Sequence, residues 1–217
     1  MEQLSTIQLF AIWALPVLFA ITVHEVAHGW VASLLGDKTA FILGRLTLNP
    51  IKHIDPLGTI LIPGILLLLH GPVFGWAKPV PINSFNLHHP KRDMALVAAA
   101  GPGANFIMAI LWGGIAKLGI TLLQYNFPGA LAIGYMGEAG IAINIVLIAL
   151  NLLPLPPLDG GHILMGLLPK KISLKIGMIA PFGFFILLAL LAFGLLGIVI
   201  NPGARFLHGI ILAIWNM

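Results

Sequence analysis

The chain has 217 residues, of which 59% are hydrophobic and 8% are charged, and its net charge is +4 at pH 7. A soluble domain of this length carries far more charge, so the composition excludes a water-soluble protein and predicts an integral membrane protein. Basic residues fall in short loops without interleaved aromatic residues, so we expect no nucleic-acid partner, and the absence of cysteine excludes thiolate metal ligands.

The first half of the chain alternates apolar and polar stretches. Residues 5–35 predict a helix that crosses the membrane, and the polar stretch 36–56 follows it. The next apolar stretch, 57–71, is too short for a span of roughly 20 residues, so we expect a re-entrant or short broken helix there. Two stretches, 41–48 and 76–83, have β-favouring or proline-spaced patterns and predict small interfacial strands.

The second half of the chain is dominated by continuous apolar stretches. Residues 94–123 and 131–153 predict two long membrane helices joined by an uncharged turn. Residues 174–200 predict a further span, and 204–215 predict a short C-terminal helix. Because these stretches do not alternate every second residue, they indicate helices rather than a barrel.

Together these elements predict an all-α polytopic membrane protein with about four full transmembrane helices. The whole chain, 1–217, is expected to form one domain, with a core over 5–169 and C-terminal helices over 174–217. Loops rich in Lys and Arg are expected to face the cytoplasm, which places the N-terminus outside. The polar clusters near residues 24–28 and 154–160 then lie at a similar depth, near the cytoplasmic side.

A motif with metal-binding spacing lies in the second half of the first apolar stretch, where residues 24–28 read HEVAH. His24 and His28 are four residues apart and share one helix face, so both imidazoles can bind one Zn²⁺, with Glu25 facing the metal and its water. The alternative is a pair of polar side chains satisfied between helices. Ionisable residues are rare and costly inside a membrane, which favours the metal site.

A catalytic zinc ion needs a third protein ligand, and the sequence has only seven acidic residues. Asp159 follows a proline-broken run at a helix end, on the same predicted side as HEVAH, and elimination favours it. Asp37 lies in a loop that we expect to be solvated, at a helix end. Glu138 lies near the uncharged turn on the opposite side, where we expect it to pair with Lys117.

HEVAH and the later stretch NLLPLPPLDG resemble the two signatures of the site-2 proteases, which are intramembrane zinc metalloproteases (peptidase M50). The second signature is N-x-x-P-x-P-x-L-D-G, and GRLTLNPIKHIDPLGT, GWAKPVP and AAGPGAN are also similar to compact prokaryotic members without PDZ or CBS domains. All fixed positions of the second signature are present, namely Asn151, Pro154, Pro156, Leu158, Asp159 and Gly160.

The resemblance implies a zinc metalloendopeptidase that hydrolyses peptide bonds in or near transmembrane segments of membrane-protein substrates. It implies one Zn²⁺ per chain with His24, His28 and Asp159 as ligands, Glu25 as general base, and Asn151 as a group that assists at the scissile carbonyl. Such an enzyme acts in the lipid bilayer of a prokaryotic cell, in regulated proteolysis or in membrane-protein turnover. The loop charges place its active site toward the cytoplasm.

Other residues are candidates for supporting roles. The predicted strand edges can pair with an unwound substrate or can simply cover the site. Asn105 and His162 are candidates to support the metal ligands by hydrogen bonds, although helix packing and solvation are simpler roles for them. The candidates for substrate pairing are Leu46, Thr47, Leu48, Lys78 and Val80.

Two other classes of protein are alternatives to a protease. A metal-ion transporter strings polar residues along a path through the bilayer, often with internal repeats, whereas this sequence concentrates them near one face and shows no repeat. A non-catalytic binding scaffold has no need for Glu25 beside a complete set of metal ligands. The sequence predicts neither the oligomeric state nor the identity of the substrate.

Overall fold

The computed structural model describes residues 5–68 and 75–217, and its regular structure is helical. A single π-helical stretch, Pro56–Leu61, leads into the third α-helix, and two short 3₁₀ turns lie in the loops, at Pro50–His53 and Ser84–Asn86. The α-helices are α1 (Thr6–Leu34), α2 (Thr39–Ile42), α3 (Ile62–Leu68), α4 (Pro90–Gln124), α5 (Ala130–Asn151), α6 (Asp159–Leu167), α7 (Lys170–Gly177), α8 (Ala180–Ala192) and α9 (Leu195–Trp215).

Four of the described helices, α1, α4, α5 and α9, are long and apolar enough to cross a membrane. The helices α7 and α8 form a further apolar pair that is bent by 59° at a short break. The protein is therefore an integral, multi-pass membrane protein, and the predicted number of about four full spans is confirmed.

The helices α4 and α5 pack with their backbones in contact. A Cβ atom at Gly119 would lie 2.4 Å from the Gly134 nitrogen, and one at Gly137 would lie 2.3 Å from the Ala116 nitrogen. Small residues allow this approach, which is the usual basis of helix packing in membranes. The α9 helix joins the pair through Ile211, which is fully buried with residues of both helices. This three-helix contact forms the larger apolar core.

The predicted interfacial strands at 41–48 and 76–83 are wrong, because the described part of the chain contains no β-strand. The first stretch includes the end of the α2 helix and a turn. The second is extended, but its backbone bonds to side chains and loop carbonyls instead of another strand. Pro79 and Pro81 lack the N–H groups that a regular ladder requires.

The C-terminal part is divided differently from the prediction of a span over 174–200 and a short helix over 204–215. The break lies at Gly194, whose φ of +69° favours glycine, and not at the Asn-Pro-Gly sequence that follows. The α9 helix continues through Pro202, and its 21 residues are enough to span the membrane.

The apolar stretch predicted at 57–71 is helical as far as residue 68, while residues 69–71 lie outside the described ranges. The π-helical stretch begins at Pro56, where the Asp55 carboxylate accepts hydrogen bonds from the Leu57 and Gly58 amides at 3.0 and 2.8 Å. The described helical residues are too few for a straight span. Whether the stretch re-enters stays a prediction.

Candidate metal centre

The fold brings together three side chains that the sequence marks as metal ligands. His24 and His28 lie on one face of α1, and Asp159 is the first residue of α6. The two histidine Nε2 atoms are 3.0 Å apart, and they lie 3.3 and 3.4 Å from Asp159 Oδ2. The ligand atoms of these three side chains all lie within 4.8 Å of one another, close enough to bind one metal ion, and no other such group occurs within the described ranges.

The opposite ring nitrogens fix which atoms of the two histidines face Asp159. His28 Nδ1 donates to the Val97 carbonyl at 2.7 Å, and His24 Nδ1 donates to Asn105 Oδ1 at 2.5 Å. Because each Nδ1 carries the proton of a neutral imidazole, each Nε2 presents a lone pair. This tautomer is the one in which Nε2 can bind a metal.

The orientation of the Asn105 amide is itself fixed by a buried chain of hydrogen bonds. Its Nδ2 donates to the Ala20 carbonyl at 3.2 Å and to Asn144 Oδ1 at 2.8 Å, so its oxygen must face His24. The Asn144 Nδ2 donates in turn to the Gly140 carbonyl at 2.8 Å. Both asparagines are fully buried. A chain of polarised amides thus runs from α5 through α4 to the histidine on α1.

The three ligand atoms fit a metal ion because each presents a lone pair and none of them carries a proton that could join them by hydrogen bonds. Two histidine lone pairs and a carboxylate oxygen converge, and Asp159 Oδ2 is buried without a hydrogen-bond partner in the described part of the protein. Such a buried acceptor is costly unless a cation or a donor satisfies it. Gly101 makes room for the cluster, since a Cβ there would lie 2.5 Å from His24 Cε1 and from His28 Nε2.

Glu25, next to the first histidine, is held by the backbone of the extended stretch 76–83. The Val80 amide donates to Glu25 Oε2 at 2.7 Å. The sequence predicts that Val80 pairs with a substrate, but in the structure its N–H group is bonded to Glu25 Oε2. The Lys78 amide is also engaged, since it donates to the His53 carbonyl at 2.9 Å.

Other candidate residues make no hydrogen bond to the cluster among the described residues. Asn151 Nδ2 donates to the Leu147 carbonyl one turn earlier at 3.0 Å, and His162 Nδ1 donates to the Leu158 carbonyl at 3.2 Å. The stretch 46–48 is a partly exposed loop. The roles predicted for these residues stay predictions.

The structure corrects two expectations about acidic residues. Asp37 is buried, with 1% of its surface exposed, and does not lie in a solvated loop. Lys117 donates to the Asn216 carbonyl at 3.0 Å, and no ion pair joins it to Glu138 in the described ranges. Sequence reasoning also missed Asn144, although an isolated asparagine in an apolar helix is the signal that could have identified it.

Relatives among known proteins place the chain in a family. It is 41% identical over 175 residues to the protein named "Putative zinc metalloprotease YwhC" of Bacillus subtilis, an alignment that covers 79% of this chain and 75% of that protein. The chain belongs to peptidase family M50. The family's model matches residues 129–191, which include Asn151 and Asp159 of this M50 peptidase.

A second relative of this M50 peptidase supports the same assignment. The protein named "Putative zinc metalloprotease Rip2" of Mycolicibacterium smegmatis is 30% identical over 192 residues, which cover 88% of this chain and 70% of the relative. No solved structure matches the chain. The M50 peptidase is therefore a membrane-embedded peptide hydrolase, and the resemblance noted from its two signatures is confirmed.

Proposed function

We propose that this protein is an intramembrane zinc endopeptidase that cuts peptide bonds in or near the transmembrane segments of other membrane proteins. The observation that carries the proposal is the cluster of His24, His28 and Asp159 beside Glu25, in which both histidines are buried on α1, a helix long enough to span a bilayer. The chemistry of the donor set, two imidazole nitrogens and one carboxylate oxygen, is that of a catalytic zinc site.

His24, His28 and Asp159 would hold the zinc ion. When bound, zinc supplies Lewis acidity, which makes water more acidic and polarises a peptide carbonyl. Glu25 accepts the proton of the attacking water and returns it to the leaving amine as general base and acid. Asn151 lies at the end of α5, one short loop before Asp159, and its amide assists at the scissile carbonyl.

The substrates in this proposal are transmembrane proteins that reach the site from the bilayer. A helical substrate hides its backbone amides, so it must unwind before cleavage. The loop at Leu46, Thr47 and Leu48 offers a partner for the unwound segment, while the amides of Lys78 and Val80 are already bonded within the chain. The reaction serves regulated proteolysis or turnover of membrane proteins.

The proposed location is a prokaryotic cell membrane with the active site toward the cytoplasm. The cluster contacts the N-terminal half of α4, on the side of the loops that carry Lys38, Lys52 and Lys78. Basic loops are enriched on the cytoplasmic side of membranes, which supports this orientation.

The experiment that tests the function is Glu25→Gln in purified full-length protein reconstituted with a transmembrane model substrate. We expect cleavage to fall by about 10²- to 10⁴-fold, the usual contribution of a general base, with zinc content unchanged. Glu138→Gln is the matched control, because Glu138 is an exposed glutamate of α5 away from the cluster, and it should cleave normally.

Cleavage by Glu25→Gln at the wild-type rate would contradict the assignment of Glu25. Zinc flux into the vesicles without any cleavage by the wild-type protein would favour a transporter. Zinc binding with neither flux nor cleavage would favour a non-catalytic scaffold.

A further inference from the structure

The tetrapeptide Lys-Pro-Val-Pro, residues 78–81, presents a single backbone donor to Glu25. Proline has no backbone N–H and fixes φ near −65°, so Pro79 and Pro81 stiffen the stretch and leave Val80 as the isolated donor between them. That N–H donates to Glu25 Oε2 at 2.7 Å. Among the described residues, no other group donates a hydrogen bond to the Glu25 carboxylate.

The part of this stretch before Val80 is held by Arg45 and by a backbone hydrogen bond. Arg45 Nη2 donates to the Lys78 carbonyl at 3.0 Å and to the Pro79 carbonyl at 3.2 Å. The Lys78 amide donates to the His53 carbonyl at 2.9 Å. Two carbonyls and one amide that precede Val80 are therefore fixed by other parts of the chain.

Further contacts hold the stretch at and after Val80. The Val80 side chain is buried against α1, where a Cβ atom at Gly29 would lie 2.9 Å from Val80 Cγ1. The Asn83 amide donates to Asp37 Oδ2 at 2.7 Å. The stretch is thus fixed on both sides, and Arg45 is the side chain that binds the carbonyls just before Val80.

The Pro79 carbonyl and the Val80 N–H belong to the same planar peptide unit. When the guanidinium of Arg45 fixes this carbonyl, it also fixes the direction of the N–H that bonds Glu25. The positive charge polarises the peptide unit and strengthens its donation on the other side. Arg45 therefore acts on Glu25 through one peptide group.

We propose that Arg45 is a positioning residue for Glu25. Through the Pro79–Val80 peptide unit, it orients the carboxylate so that Oε2 is bonded by the backbone and Oε1 is left to accept a proton from water. The inference rests on the proposed function, in which Glu25 is the general base. A general base must lie within hydrogen-bond reach of the proton that it abstracts, so a misoriented carboxylate lowers kcat.

The first test compares Arg45→Ala and Arg45→Lys with the control Lys52→Ala, which removes an exposed cation from a neighbouring loop. Steady-state cleavage of a transmembrane model peptide and zinc content are measured on the purified full chain. We expect Arg45→Ala to lower kcat by about 10- to 100-fold, a share of the contribution of a general base, with KM and zinc content unchanged. Arg45→Lys should restore part of kcat, and Lys52→Ala should behave as wild type.

A second test removes the N–H of residue 80 and also weakens the Pro79 carbonyl as an acceptor for Arg45, so it disrupts the same peptide unit from within. Replacing Val80 by its α-hydroxy acid converts the amide to an ester and keeps every side chain, so it remains informative if Arg45→Ala does not fold. We expect the ester to lower kcat as much as Arg45→Ala does. A protein that carries both changes should have a kcat only slightly lower than either single variant, because both changes break the same connection from Arg45 through the Pro79–Val80 peptide to Glu25.

Three outcomes would overturn the inference. A normal kcat in Arg45→Ala and in the ester variant would show that the Pro79–Val80 peptide does not position Glu25. A raised KM with an unchanged kcat would assign the stretch to substrate binding, and a parallel loss of zinc and activity would assign Arg45 a purely structural role. Failure of the proposed function is separate, because it shows as full cleavage by Glu25→Gln, whereas failure of this inference alone leaves Glu25→Gln inactive and the Arg45 variants active.

Discussion

Two aspartates of the protein have opposite surroundings: Asp37 is fully buried, whereas Asp159 is half-buried and has one buried oxygen. Asp37, between α1 and α2, accepts hydrogen bonds from the Thr39 amide at 3.0 Å, from the Asn83 amide at 2.7 Å and from Asn86 Nδ2 at 3.0 Å, and also from the Thr39 hydroxyl. Asp159 has a buried Oδ2 without a hydrogen bond in the described ranges.

Burial of a carboxylate does not by itself mark a metal ligand. A buried carboxylate surrounded by donors is satisfied by the protein and stabilises the fold. A buried carboxylate oxygen that faces only two histidine lone pairs is satisfied by a cation. The number of donors around each carboxylate therefore separates a structural aspartate from a ligand.

The largest expected effect comes from removing the unsatisfied aspartate. Asp159→Ala should lower zinc affinity by more than about 100-fold, beyond the loss from removing a supporting residue, because one of three protein ligands disappears. Zinc content after dialysis against a chelator measures this, and thermal denaturation in detergent should show a folded protein. Zinc content equal to that of Glu25→Gln would remove Asp159 from the ligand set.

A smaller effect is expected from the amide chain behind His24. Asn144→Leu removes one of the two acceptors that orient the Asn105 amide, so the tautomer of His24 is held less firmly, and zinc affinity should fall by about 10- to 100-fold. Competition with a chelator of known affinity measures the change. Asn201→Leu, an exposed asparagine of α9, is the control. Equal zinc affinities in the two variants would contradict the role of Asn144.

Replacing Asp37, whose oxygens accept several hydrogen bonds, should lower the stability of the fold without changing zinc binding. Asp37→Ala leaves the backbone amides of Thr39 and Asn83 without their acceptor, so the free energy of unfolding should fall by about 2–4 kcal/mol. Denaturation of the detergent-solubilised protein measures the loss, and zinc content should stay at the wild-type level. Loss of zinc without loss of stability would reverse the comparison between Asp37 and Asp159.

The smallest effect concerns pH. Burial alone would raise the pKa of Asp37, but hydrogen bonds from Thr39, Asn86 and Asn83 outweigh it and lower the pKa below its ordinary value of 3.8. A carboxylate with a lowered pKa in the folded state stabilises the fold above its unfolded pKa, and this stability is lost as pH falls through the folded value.

The experiment that tests this sign measures Tm as a function of pH for the wild-type protein and for Asp37→Asn. The difference in Tm should be constant above about pH 5 and should shrink as pH falls below 3.8, because the asparagine does not titrate. A difference that grows toward acid pH would contradict the sign of the shift.

Much of the fold and of the site could be predicted because the signals are local. Continuous apolar stretches predict the long helices, and the four-residue spacing of His24 and His28 places both imidazoles on one face. The fixed signature around Asp159 identified the third candidate ligand. These features depend on neighbouring residues, so they can be read from the sequence.

The remainder depends on contacts between distant residues. The chain from Asn144 to Asn105 joins positions 39 residues apart, and Val80 meets Glu25 across 55 residues. The sequence shows that each polar group must find a partner but not which one. The predicted strands failed for the same reason, because strand pairing requires a neighbour that the proline-spaced stretch 76–83 does not have.

The backbone contact between α4 and α5 has a mechanical consequence. Helices that touch at Gly119 and Gly137, without intervening side chains, have little room to slide or rotate against each other. Asn105 and Asn144 lie on these two tightly packed helices. The imidazole of His24 is therefore hydrogen-bonded to a part of the protein that moves little. We expect thermal motion around the cluster to be smaller than in the bent pair α7 and α8, and order parameters from NMR relaxation can measure that contrast.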